Sequence, residues 1–406
     1  MSNVRDYLKE KEKRQERESR GDGYSFMDKI RTHRLTIFYR LLLAIVLIAA
    51  VLCFLVWQWK NKIYTECVTL SSAEATIVPN AKTKQLGNHV LIYSKDGASC
   101  VDEKGNALWN QTFEMQQPIL AACEDVAAIA DYNGRMIYVV NSAERLGTVK
   151  TNLPIRNICV SANGVVAAVL DDGDVTRILL YNGNENTETS IADSKISMDK
   201  SGYPVSISLS PNGKILAISY LYADSGSMKT SVEFLNFGEV GKNVSDNYVS
   251  GYDYPNEIVP YVQFMNSGAV FAVSDERIVF FEGVEKPESV ASHLIGEEIQ
   301  GIYYNESYVG LVFRNQTGES VYKMDVYDAR GNKVHSLLFD IEYTDIVFYN
   351  DQIIIYDDMD LRVCTVKGND KYNGELDKAV SLIVPTTVNY RYAAVTGSTV
   401  DTFELK

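Results

Sequence analysis

Val205 to Tyr220 reads VSISLSPNGKILAISY. Val205, Ile207 and Leu209 alternate with serines, Ser210 to Gly213 supply the small and polar residues of a tight turn, and Ile215, Ala217 and Ser219 resume a period of two. The stretch spells a β-hairpin, and it recurs. ICVSANGVVAAVLDD begins at Ile158 and VQFMNSGAVFAVSDE at Val262. Eight copies can be written, with second strands centred near Val90, Ala127, Val165, Ile215, Val270, Val309, Ile353 and Tyr392. Their mean step of about 43 residues is the period of a four-stranded propeller blade.

An outer hairpin repeats in the same register. IYSKDGASCVDEKGN at Ile92 aligns with IYDDMDLRVCTVKGN at Ile355, and VDEKGNALW at Val101 aligns with YDARGNKVH at Tyr327. Gly105, Gly331 and Gly368 fall where the turn needs a conformation that a Cβ resists. The expected fold is therefore all-β: a single β-propeller of eight blades, with seven as the competing closure because the steps around Ile215 and Val270 are long. ATIVP, residues 75–79, is expected to complete the last sheet beside TVDTFEL, residues 399–405, so that no sheet edge is left by an open ring.

Upstream, Leu41 to Trp59 is uncharged for nineteen residues. As a helix it would cover about 28 Å, close to the hydrocarbon thickness of a bilayer. The run is too long, and too poor in small residues at its end, for a cleaved signal peptide. Arg40 and Leu41 begin the anchor, and Trp57 and Trp59 stand at its far interface. Lys29, Arg31, Arg34 and Arg40 outnumber Lys60 and Lys62, which places the tail in the cytoplasm and the large domain outside. The expected divisions are a basic, largely disordered cytoplasmic tail over 1–34, whose alternative is a solvated helix, then a transmembrane helix over 35–60. A stalk with the closing strand follows over 61–85, and an extracytoplasmic propeller over 86–406.

Formal net charge is -14, unevenly spread. Residues 1–40 carry eleven Lys or Arg against seven Asp or Glu, and residues 61–406 carry 27 against 46. So acidic a domain repels nucleic acid. The six cysteines include no CxxC pair, and with Cys53 in the apolar run an odd number remains. They read as small buried hydrophobes, with one bridge left open.

SPNGK followed by ILAIS resembles the corresponding turn of WD-repeat and related bacterial propellers, and GASCVDEKGNALW looks like a quinoprotein-type repeat. The layout of basic tail, single span and propeller resembles a family of anchored proteins of Gram-positive bacteria. The resemblance implies the fold. It does not extend to a quinone site, since Trp109 is the sole ectodomain tryptophan at the quinoprotein position, and no cofactor is expected.

No catalytic motif stands out. His89, His293 and His335 are scattered, HExxH and GxSxG are absent, and the serines belong to turns. Asp171, Asp172 and Asp174, and likewise Asp357, Asp358 and Asp360, fall at hairpin turns and lack the further ligands of a calcium loop. The most distinctive segment, NVSDNYVSGYDYPNEIVPY over 243–261, reads as a long loop rich in tyrosine. Tyr248, Tyr252 and Tyr254 are the expected partner contacts, against the alternative that the rings pack back on the propeller. The function expected is a non-enzymatic, membrane-tethered scaffold for a protein or cell-envelope ligand. The alternatives are an envelope hydrolase or lyase with carboxylates at the propeller axis, and a glycosylated type II protein with sequons at Asn110, Asn243, Asn305 and Asn315.

Overall fold

A computed structural model describes residues 3–406 apart from 21–25, 76, 78–79, 174, 198–201, 225, 317 and 319, and apart from the side chains of 17–20, 26–30, 32, 56, 59 and 194–197. The chain divides into two compact units, 1–62 and 63–406.

The first unit is helical. Asn3–Arg20 is an α-helix whose described side chains are all exposed, the solvated form of the charged tail. A second helix runs Phe26–Lys60 and contains one stretch, His33–Leu55, long and apolar enough to cross a membrane. Leu41 and Trp57 are exposed on it, and the Trp59 side chain lies outside the described residues.

The second unit is a propeller of eight four-stranded antiparallel sheets. Blades 1 to 7 span 82–112, 118–150, 155–197, 203–254, 261–294, 299–339 and 345–375, each built from consecutive strands. Every second strand lies where the repeat spacing puts it. The repeated wording has a repeated geometry: Ile215 N–H donates to Ser210 Oγ at 2.9 Å, and Val165 N–H donates to Ser161 Oγ at 2.9 Å. Gly213 and Gly164 close these turns at φ of 70° and 83°, where a Cβ would be strained.

Blade 8 takes its inner three strands from Leu382–Pro385, Arg391–Thr396 and Thr399–Leu405, and its outer strand from the start of the domain. That strand is Cys67–Glu74, paired from Cys67 opposite Leu405 to Glu74 opposite Thr399. The expected closure is right in kind and in its C-terminal partner but displaced in sequence: ATIVP follows the closing strand. Ala75 and Ile77 instead pack between blades 8 and 1, and Thr76, Val78 and Pro79 lie outside the described residues.

The blades are stitched by side chains as well as by apolar packing. In blade 4 the serines that alternate with Val205, Ile207 and Leu209 face blade 5: Val262 N–H donates to Ser206 Oγ at 3.1 Å and Phe264 N–H to Ser208 Oγ at 2.9 Å. Both serines are buried. Replacing Ser208 by Ala strands a buried N–H, which costs about 1–3 kcal/mol. Thermal unfolding of Ser208→Ala should show a midpoint several degrees lower, and an unchanged midpoint would assign the stitch no weight.

Farther out, six blades carry a bulge between their third and fourth strands, and in blades 1, 4 and 6 a residue beside it meets the next blade's outer turn. In blade 1 this residue is Trp109, whose Nε1–H donates to Asn141 O at 2.8 Å. In blade 4 it is Ser250, donating to Pro287 O at 2.7 Å. In blade 6 it is His335, whose ring covers Gly368 so closely that a Cβ there would collide with it. Trp109 and His335 thus share one structural position, as the aligned sequences VDEKGNALW and YDARGNKVH require.

Candidate functional site

The inner strands of the blades surround an axial channel of about 740 Å³, within the usual range for a small-molecule site. Each inner strand runs from one end of the channel to the turn that joins it to the second strand at the other. The turn end is tied together by asparagines reaching across blades. Asn163 Nδ2 donates to Asn212 O at 2.9 Å, Asn266 to Glu306 O at 2.8 Å, Asn305 to Asn350 O at 3.0 Å, and Asn88 to Pro385 O at 2.8 Å. Glu124, Asp125 and Glu306 come from these turns. Asp125 accepts from Ser142 Oγ at 2.8 Å, whereas the Glu124 and Glu306 side chains are exposed.

The walls are aromatic. Tyr261, Tyr304 and Tyr349 line the channel. Burial raises the pKa of both the Tyr261 and the Tyr304 hydroxyls, Tyr304 well above the ordinary phenol value. The far end holds Asp345, the first residue of the inner strand of blade 7. Burial lifts its carboxyl above the usual range, against an Ile346 N–H donating to it at 2.8 Å and the nearby Lys84 charge. Lys84 comes from blade 1, whose inner strand is Lys82–Leu86. Asp345 and the turn at Asn350 are separated by a strand of five residues, so the backbone positions at the two ends stand roughly 16 Å apart.

The residues singled out in the sequence lie elsewhere. Tyr248–Tyr254 is the outer strand of blade 4, not a loop; 237–247 before it, with two short 3-10 turns, and 255–260 after it are irregular. Tyr252 and Tyr254 pack into the core between blades 4 and 5. The Tyr252 ring lies 5.0 Å from that of Phe281, and its hydroxyl accepts from Ser289 N–H at 3.1 Å. Burial raises the Tyr254 phenol pKa. Tyr248 is 43% exposed at the rim, on the same end of the propeller as the inner turns. Tyr261, read as the end of the loop, opens the inner strand of blade 5 and reaches the channel.

Both aspartate clusters are turns. Asp171 pairs with Arg156 and accepts from Gly173 N–H at 3.0 Å, and Asp357 accepts from the N–H groups of Met359 and Asp360 at 2.7 and 2.6 Å. Asp174 lies outside the described residues. Among the described residues, no group of three or more His, Cys, Asp or Glu is placed to hold a metal. All six thiols are free. Cys100, Cys159 and Cys364 are buried, and burial pushes Cys100 and Cys364 up to about 12.

A family model described as "Family of unknown function (DUF5711)" matches residues 60–405. No curated protein matches the sequence. Among solved structures the chain is similar to a eukaryotic initiation factor, with 12% identity and a TM-score of 0.51 over 80% of this chain and 85% of that one. BamB from Moraxella catarrhalis shows 12% identity and a TM-score of 0.47 over 84% and 100%. The WD40 domain of Neurospora crassa Pan2 shows 9% and 0.46 over 84% and 95%. At these identities the likeness is one of fold.

Proposed function

The chain belongs to this family of unknown function, and from that premise we propose that it is a membrane-tethered binding protein whose propeller takes a ligand or partner at the turn end of its axial channel, outside the cytoplasmic membrane. The channel itself carries the reading: a preformed cavity closed on several sides by blades that are stitched to one another. The apolar helix supplies the tether, and the basic residues before it, from Arg31 to Arg40, favour a cytoplasmic tail. Tyr248, exposed on the same end, extends the contact surface to the rim, and Tyr252 and Tyr254 hold its strand against blade 5.

The test uses the full-length protein in its native membrane, with a photo-crosslinking residue at Glu306, at Tyr248 or, as a control, at Gly397 in a turn on the opposite end. A reproducible adduct from Glu306 and Tyr248, and none from Gly397, is expected. Adducts from Gly397 alone would move the contact face, and turnover of envelope polysaccharide or peptide abolished by Asp345→Asn would replace the reading with an enzymatic one.

A further inference from the structure

We propose that the axial channel binds a linear aliphatic polyamine, with one ammonium at Asp345, another at Glu124 and Glu306, and the chain lying between tyrosine rings. The inference rests on the binding reading above and adds the chemistry of the ligand. Three observations carry it.

The channel is a cavity of about 740 Å³ lined by four carboxylates, Glu124, Asp125, Glu306 and Asp345, and by one ammonium, that of Lys84. Like charges focused in a walled cleft concentrate counter-ions, here cations. The carboxylates are also not gathered at one point. Asp345 opens one inner strand while Glu124, Asp125 and Glu306 belong to turns at the other end of theirs, backbone positions roughly 16 Å apart, which suits a ligand with positive charges at separated ends better than a compact cation. The walls include Tyr261, which opens its inner strand at the Asp345 end, and Tyr304 and Tyr349, which close theirs at the turn end. Phenol rings accept both an alkyl chain and, at their faces, an ammonium group.

Lys84 gives the proposal its sharpest consequence. Its side chain is exposed within the channel, and its charge acts on Asp345. It is a resident competitor for the site that an incoming ammonium would take. Removing its charge should therefore strengthen binding, while removing the charge of Asp345 should weaken it.

Spermidine is titrated by calorimetry into the full-length protein in neutral-lipid nanodiscs at physiological salt, with 1,8-octanediol as the uncharged control. Saturable binding of spermidine and none of the diol is expected. Asp345→Asn should weaken the affinity about tenfold and Lys84→Gln should tighten it severalfold, as expected for single charges at intermediate dielectric. Glu306→Gln, in an exposed turn where folding is not at stake, should weaken it by a smaller factor. Absence of saturable binding, or equal affinity in Lys84→Gln and wild type, would overturn the polyamine assignment. If crosslinks from Glu306 persist in either case, the binding reading stands and only its ligand chemistry fails; if those crosslinks are also missing, both fall.

Discussion

Replacing Cys67–Glu74 with eight residues of glycine and serine should lower the unfolding midpoint of the propeller by about 10 °C and expose the edge of blade 8. The strand contributes seven paired positions against Thr399–Leu405, and its backbone bonds at about 0.5–1.5 kcal/mol each sum to about 5 kcal/mol. That is a large share of a domain stability of about 5–15 kcal/mol, and a change of about 2–4 °C per kcal/mol gives the stated shift. Contacts beyond the ladder go with it. The Ala73 side chain packs under Gly105 of blade 1, so the strand clamps the last blade to the first. Hydrogen exchange supplies the local readout: amides of Thr399–Leu405 should exchange faster, while those of blade 4 should change little. The freed edge should also promote pairing between molecules, seen as larger species in light scattering. An unchanged midpoint with slow exchange at Thr399–Leu405 would mean that the ring closes without its N-terminal strand.

That strand was the part of the fold least legible in the sequence, and the reason is physical. The inner three strands of a blade are packed on both faces, so they read as the apolar or alternating runs seen at Val205–Tyr220 and its copies. An outer strand is solvated. CVTLSSAE leaves Thr69 to Ser72 exposed, and nothing in its composition demands a sheet. ATIVP is more apolar, yet its Ala75 and Ile77 fill the seam between blades 8 and 1 as part of a connector.

The tyrosine segment imitates a loop for the same reason. YVSGYDY is an outer strand with a glycine in its middle, where the Tyr248 ring lies over Gly251, and glycine beside proline and asparagine imitates loop chemistry. The channel lining is legible in no single stretch. Lys84, Tyr261, Tyr304 and Asp345 come from blades 1, 5, 6 and 7, and no local pattern links them. Equal blade spacing announces that an axis exists. Which side chains face it depends on the register of each inner strand.

Asp401→Ala should destabilise the propeller by about 2–4 kcal/mol and flatten its response to acid. Asp401 is 4% exposed, on the strand that pairs with the closing strand, and three donors meet its carboxylate. Lys378 Nζ donates at 2.7 Å, Thr399 Oγ1 at 2.9 Å and, from the closing strand, Ser72 Oγ at 2.5 Å. Alanine would leave the hydroxyls without their acceptor and break a charge pair. Lys378 is half-exposed and can return to water, which keeps the cost near the lower end for disrupted buried pairs. Burial by itself would raise the pKa of this carboxyl, but the three donors outweigh it and hold it below its ordinary value of 3.8. The folded state therefore binds this proton less readily than the unfolded chain. The associated stability is present above about pH 4 and is lost as pH falls through the folded-state value.

Unfolding in denaturant from pH 6 down to pH 3 should show wild type losing more stability than Asp401→Ala or Asp401→Asn. Equal slopes would remove Asp401 from the acid response. Combining Asp401→Ala with the glycine-serine replacement separates latch from ladder. Residues that share a partner are not additive, and Ser72 is already gone in the replaced strand. Asp401→Ala should therefore cost less in that background than alone, and the difference measures how much of the blade closure runs through this one carboxylate.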